Sequence, residues 1–123
     1  MIAVGTDILE VDRMRKVLDR MGDKFARRIL RPDEWQAFSD SAQPHRLLAK
    51  RFAAKEAVAK TLGTGIGRGV SWQDICIRHT DDGAPQVELS GGALDVARRL
   101  GGEWVAISIA DEREYVVAFA VLS

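Results

Sequence analysis

The sequence predicts an α+β fold, a small antiparallel sheet with several helices set between its strands. Three observations carry this. β-rich runs stand at both ends, Met1–Asp7 at the start and Glu103–Ala110 with Tyr115–Leu122 at the finish. Between them lies a run rich in Ala, Lys and Glu, Arg51–Leu62, free of Gly and Pro. Two turn signals, Asp81-Asp82-Gly83 and Asp111-Glu112-Arg113-Glu114, each separate a pair of β-rich runs and so read as hairpins. With 123 residues and 46% apolar content, the chain reads as one domain, 1–123, with a modest core.

Taken in order, Met1–Asp7 (MIAVGTD) is a buried strand that delivers Asp7 at its end. An acid there either caps the following helix or serves as a metal ligand or catalytic carboxylate. Glu10–Met21 is helical, with Met14, Leu18 and Met21 on an apolar stripe and Arg13, Lys16 and Arg20 beside it. Gly22-Asp23 interrupts, and Lys24–Leu30 resumes. Arg31-Pro32-Asp33 opens a short helix through Phe38, with Pro32 in its first turn. Ser39–Pro44 is a polar loop, and the long helix starts at His45. After a glycine-rich stretch, Ser71–Thr80 and Pro85–Leu89 form the first hairpin. Gly91–Leu100 is an amphipathic helix closed by Gly101-Gly102. Glu103–Ala110 and Tyr115–Leu122 form the second hairpin, whose apolar density puts it at the sheet centre.

The formal net charge is zero, with 18 basic and 18 acidic residues, so the global balance gives no sign of a nucleic-acid partner. Between Asp12 and Arg31, however, eight basic residues face three acidic ones, which marks a flank suited to an acidic protein. The single cysteine, Cys76, excludes an intrachain disulfide and fits a reducing compartment; in Ile75-Cys76-Ile77 it reads as a packing residue. His45 and His79 are the only histidines and stand far apart, which leaves a zinc site or a Ser–His triad unsupported. With no long apolar run and no signal pattern, a soluble cytoplasmic protein is expected.

The chemistry concentrates in Arg51–Gly69, RFAAKEAVAKTLGTGIGRG. Leu48, Phe52, Glu56 and Lys60 recur at steps of four and share one helix face. A Glu in line with core residues is costly to bury unless it is paired or binds a cation. Gly63, Gly65, Gly67 and Gly69 alternate with Thr64, Ile66 and Arg68, a loop whose backbone can approach an anion closely. The competing reading is an alanine-rich core helix with a solvated Lys–Glu pair and a glycine cap. If Asp7 and Glu56 converge, two carboxylates completed by waters and a pyrophosphate suit Mg²⁺. Lys60, Arg51 and the loop would then face the phosphates.

Gly5-Thr6-Asp7 together with Arg51-Phe52-Ala53-Ala54-Lys55-Glu56-Ala57 and Lys60 closely resembles the holo-acyl-carrier-protein synthases, the small phosphopantetheinyl transferases. The resemblance continues through Gly63–Gly67 and Ser108–Glu112 and spans essentially the whole chain. It implies the 4′-phosphopantetheinyl transferase fold. It also implies transfer of the 4′-phosphopantetheine arm of coenzyme A to a serine of apo-acyl carrier protein, which leaves adenosine 3′,5′-bisphosphate and belongs to fatty acid biosynthesis. On that resemblance Asp7 and Glu56 would hold Mg²⁺, with Glu56 the first choice for general base. Lys60, Arg51 and the backbone near Gly63 and Gly65 would contact coenzyme A. A homotrimer with interfacial sites is implied, with Asp111, where many members carry His, and Glu112 serving a neighbouring subunit. Arg13, Val17, Arg20, Met21, Lys24, Phe25 and Arg28 match the carrier-docking surface. Two rivals stand beside this reading: a hydrolase using the same acids with water as nucleophile, and a non-catalytic carrier-binding module.

Overall fold

The computed structural model describes residues 1–123, and its longest helix, α4 (Pro44–Thr61), is the element against which both sheets and three of the other four helices are arranged. Its inward side is built from small residues: Ala49, Ala53, Ala54, Ala57 and Ala59 are wholly buried. Strand β1 (Ala3–Glu10) uses that smoothness to lie directly on the helix. A Cβ added at Gly5 would stand 2.1 Å from the Ala57 carbonyl oxygen and 3.0 Å from Lys60 Cβ, so glycine alone fits this crossing.

β1 pairs antiparallel with β5 (Tyr115–Leu122), and β5 pairs on its other side with β4 (Val105–Asp111). Period-two alternation divides β5. Val116, Ala118, Ala120 and Leu122 pack inward against α4, while Tyr115, Val117 and Phe119 stay exposed on the outer face. A separate two-stranded sheet joins β2 (Ile75–His79) to β3 (Pro85–Leu89). Helices α1 (Val11–Met21) and α2 (Asp23–Ile29) meet at Gly22, whose φ of 62° gives the chain its sharp change of direction. A 3₁₀ turn (Pro32–Glu34) leads into α3 (Trp35–Asp40), and α5 (Gly91–Arg99) closes the list of helices. One apolar cluster of 26 buried residues draws on nearly all of these elements.

The predicted class is the observed one, and most elements fall within two residues of their expected bounds. Four expectations are corrected. The first strand runs on to Glu10 because its pairing with β5 continues to Glu10–Tyr115, so Asp7 lies in mid-strand and is not a cap; Glu10 stands at the N-cap position and makes no side-chain capping bond. The first hairpin arm is shorter than Ser71–Thr80, because Trp72–Asp74 wind into a 3₁₀ turn fixed by the Ser71 hydroxyl and the Asp74 carboxylate. The sheet centre is β5 alone, with β4 at an edge, since β1 returns to cover the other side of β5. Finally, α4 starts at Pro44 and not at His45, with proline in the first turn where its missing N–H costs nothing.

Candidate active site

The register that puts Asp7 in mid-strand also aims it at α4. Gly5 brings β1 onto the helix at Ala57 and Lys60, and Asp7, two residues further along the same face, lies beside the Lys60 side chain. Lys60 Nζ donates to the Thr6 carbonyl at 2.7 Å and pairs with Asp7 Oδ1 at 3.2 Å. Glu56, one turn earlier, completes the group. Burial and then the Asp7 charge push its carboxyl pKa up, while the Trp72 indole and Lys60 pull against them. The two acids expected from sequence to converge therefore share one field, with a lysine beside them. Lys60 stays half exposed, which leaves its ammonium group free to meet a solvent-borne anion.

The chain gathers no cluster of three or more His, Cys, Asp or Glu side chains. Two hard carboxylate donors are what Mg²⁺ takes from a protein when substrate phosphate oxygens and waters fill its remaining positions. Burial first and the Asp7 charge second disfavour the ionised Glu56 carboxylate, and a cation between the acids relieves the second of these. The donor set fits.

Lys55, the sequence neighbour of Glu56, points the other way and is wholly buried. Its Nζ donates to Glu34 Oε1 at 2.6 Å, to the Ile29 carbonyl at 2.7 Å and to the Trp72 carbonyl at 3.2 Å. Glu34 also accepts from Arg51 Nη1 and from the Ile77 N–H. Sequence reasoning grouped Arg51 with Lys60, but nine residues separate them, half a turn out of phase around the helix. Arg51 instead lines a cavity of about 350 Å³ on the side of the two-stranded sheet, with Lys50, His79 and Asp111. Asp111 is held there by Arg46 at 2.6 Å and Lys50 at 3.6 Å, and the Glu112 carbonyl accepts from Arg46. Burial, Arg51 and Lys50 all lower the His79 pKa, the mark of a cationic pocket. Lys50 and His79 were missed from sequence; their common signal is cationic character on residues that only the fold brings together.

The glycine loop departs from expectation in its detail. The N–H groups of Gly63 and Gly65 donate to the Lys60 and Ala59 carbonyls, where they close the end of α4, and that of Gly67 donates to Val70. The intervening Thr64, Ile66 and Arg68 N–H groups make no such bonds, so these are the donors the loop offers. On the basic flank, Arg13, Arg20, Lys24 and Arg28 are exposed, whereas Val17, Met21 and Phe25 are half buried, Val17 and Phe25 because they also pack against the core.

Residues 3–120 match the family model of the 4′-phosphopantetheinyl transferase superfamily. A holo-[acyl-carrier-protein] synthase of Shewanella amazonensis is 55% identical over 98% of this chain and 97% of its own. The crystal structure of the Neisseria meningitidis holo-[acyl-carrier-protein] synthase superposes with a TM-score of 0.92 at 38% identity, covering 100% of this chain and 98% of that one. The Helicobacter pylori counterpart, solved in complex with coenzyme A, gives 0.85 at 32% identity over 98% and 99% of the two chains. The chain belongs to the 4′-phosphopantetheinyl transferase superfamily, among the holo-acyl-carrier-protein synthases, and is an enzyme of that class.

Proposed function

From that membership we propose that the chain transfers the 4′-phosphopantetheine group of coenzyme A to a serine of an apo-acyl carrier protein, with Mg²⁺, and releases adenosine 3′,5′-bisphosphate. The observation that carries the reading is the meeting of Asp7, Glu56 and Lys60 where β1 crosses α4. Asp7 and Glu56 would hold Mg²⁺, which when bound polarises the pyrophosphate and offsets charge on the departing phosphate. Lys60 neutralises that same phosphate. Glu56 takes the proton of the attacking serine hydroxyl. The unbonded N–H groups of Thr64 and Ile66, just past Gly63 and Gly65, supply further phosphate contacts.

Arg51, with Lys50 and His79, suits the anionic adenosine end of coenzyme A. Lys50 and Lys60 are about 15 Å apart along α4, so this pocket, with Asp111 and Glu112, serves the active site of a neighbouring subunit in a homotrimer. The outer face of the three-stranded sheet supports that assembly: Val4, Ile8, Val117 and Phe119 are 37–63% exposed on it. An acidic carrier protein docks on Arg13, Val17, Arg20 and Met21, with Lys24, Phe25 and Arg28 just beyond. No helix is long and apolar enough to cross a membrane, and the proposed reaction goes with a cytoplasmic location.

One assay tests the reading. The enzyme is incubated with apo-carrier, coenzyme A and Mg²⁺, and the carrier is weighed by mass spectrometry. The expected result is a phosphopantetheine adduct on one serine. Release of the bisphosphate from coenzyme A without carrier would assign a hydrolase instead, and no change in either would overturn the reading.

A further inference from the structure

The reaction as described leaves the Trp72 indole unused. Its Nε1 is buried and has no hydrogen-bond partner, a rare condition for a donor inside a folded chain. The ring is nonetheless held firmly. The Trp72 carbonyl accepts from Lys55, which is anchored in turn to Glu34 and Ile29. The ring packs on Phe52 with centroids 6.1 Å apart, and Phe52 packs on Phe25 at 6.2 Å. Phe52 precedes Glu56 by one turn of α4, so the indole lies along the face that carries the Glu56 carboxylate. Among the groups acting on that carboxylate, Trp72 is the one that acts as a hydrogen-bond donor. An unpartnered donor stacked on Phe52, one turn before Glu56, thus has that carboxylate as its neighbouring acceptor, with no closed bond between them.

We propose that Trp72 is a positioning residue for Glu56: its indole N–H takes one carboxylate oxygen and so leaves the other turned toward Asp7 and the cation. The inference rests on the transferase reading above and deepens it. A carboxylate with two free oxygens rotates and presents either one, or both, to a cation. A fixed donor on one oxygen removes that freedom, as outer-shell partners do for metal ligands generally. Phe52 alone would supply the apolar packing, whereas the indole adds a directed donor to it.

The test reads the indole proton itself. Three indole N–H resonances are expected, from Trp35, Trp72 and Trp104, and Trp72→Phe identifies the relevant one by its loss. Glu56→Gln is expected to move that resonance, and Mg²⁺ added to the unmodified enzyme is expected to move it as well. Trp72→Phe, with its ring retained in the stack, is expected to weaken Mg²⁺ binding by calorimetry and to lower kcat about 10- to 100-fold, with KM for the carrier unchanged. An indole resonance indifferent to Glu56→Gln, or a Trp72→Phe enzyme that binds Mg²⁺ as tightly as the parent, overturns the proposal. Should Trp72→Phe fail to fold, Trp35→Phe and Trp104→Phe assign the other two resonances, and the remaining one, parent against Glu56→Gln, decides alone. If the parent enzyme transfers no phosphopantetheine, the transferase reading falls, while the resonance still reports the Trp72–Glu56 contact.

Discussion

Lys55 and Glu56 are adjacent on α4 and meet opposite environments. On the Lys55 side, three buried charges answer one another: every proton of the ammonium group has an acceptor, and Glu34 binds Lys55, Arg51 and two backbone N–H groups. On the Glu56 side the charges are left open. Two acids repel, one lysine covers part of the deficit, and a buried indole N–H lacks a partner. The saturated cluster ties the end of α2, the turn before α3 and the turn before β2 to α4. The unsaturated one is fit to receive a cation and a pyrophosphate. One turn of one helix carries both because a 100° step per residue separates neighbours into different surroundings.

The comparison can be broken from either side. Glu56→Gln should abolish transfer in the carrier-mass assay while the thermal midpoint stays at or above that of the parent, since a half-buried charge that Asp7 repels is removed. Normal turnover at saturating Mg²⁺ would end the assignment. Lys55→Ala should do the reverse and strike the fold first. Removing one partner of a buried, hydrogen-bonded charge cluster costs about 3–5 kcal/mol, read as a lowered midpoint in urea. Gly5→Ala tests the crossing that brings the two sides' common helix against β1. Overpacking there should cost about 1–3 kcal/mol and weaken Mg²⁺ binding together with stability, because Asp7 is displaced with the strand.

Two smaller effects sharpen the contrast. Reversing charge at Arg13 and Arg20, both exposed, should raise KM for the carrier about tenfold at low salt and less at high salt, with coenzyme A affinity unchanged. His79, on the Arg51 side, has a pKa held below its usual 6.5 by burial and two cations. Folding therefore releases protons there, and stability rises with pH through the window just below 6.5 and is lost as pH falls through the depressed pKa. His79→Gln should flatten that acid-side loss in midpoint against pH, whereas an unchanged profile would place its cause elsewhere.

Local pattern made the helices and hairpins legible in the sequence, and the paired motifs made Asp7, Glu56 and Lys60 legible as a group. What stayed hidden depended on contacts between distant segments. The length of the first strand follows from pairing with residues more than a hundred positions away. The burial of Lys55 needs Glu34 to arrive from another element, and nothing in the helix's own spacing announces it. Arg51 shows the reverse case. Its half-turn offset from Lys60 was countable in the sequence, but an arginine in a charged helix gives no sign of which wall it faces until β2 is in place. Trp72 lay in a segment read as strand, and a 3₁₀ turn directs its ring elsewhere.

The sealed lysine also has a practical use. Amine-reactive labels should decorate Lys60 and Lys50 in the native enzyme and find Lys55 shut, at 0% exposure with its Nζ triply bound. Label at that position would be acquired only by molecules that have opened, which makes it an internal clock for unfolding events. Protection of Lys60 by coenzyme A could then be scored in the same digest, each lysine the control for the other.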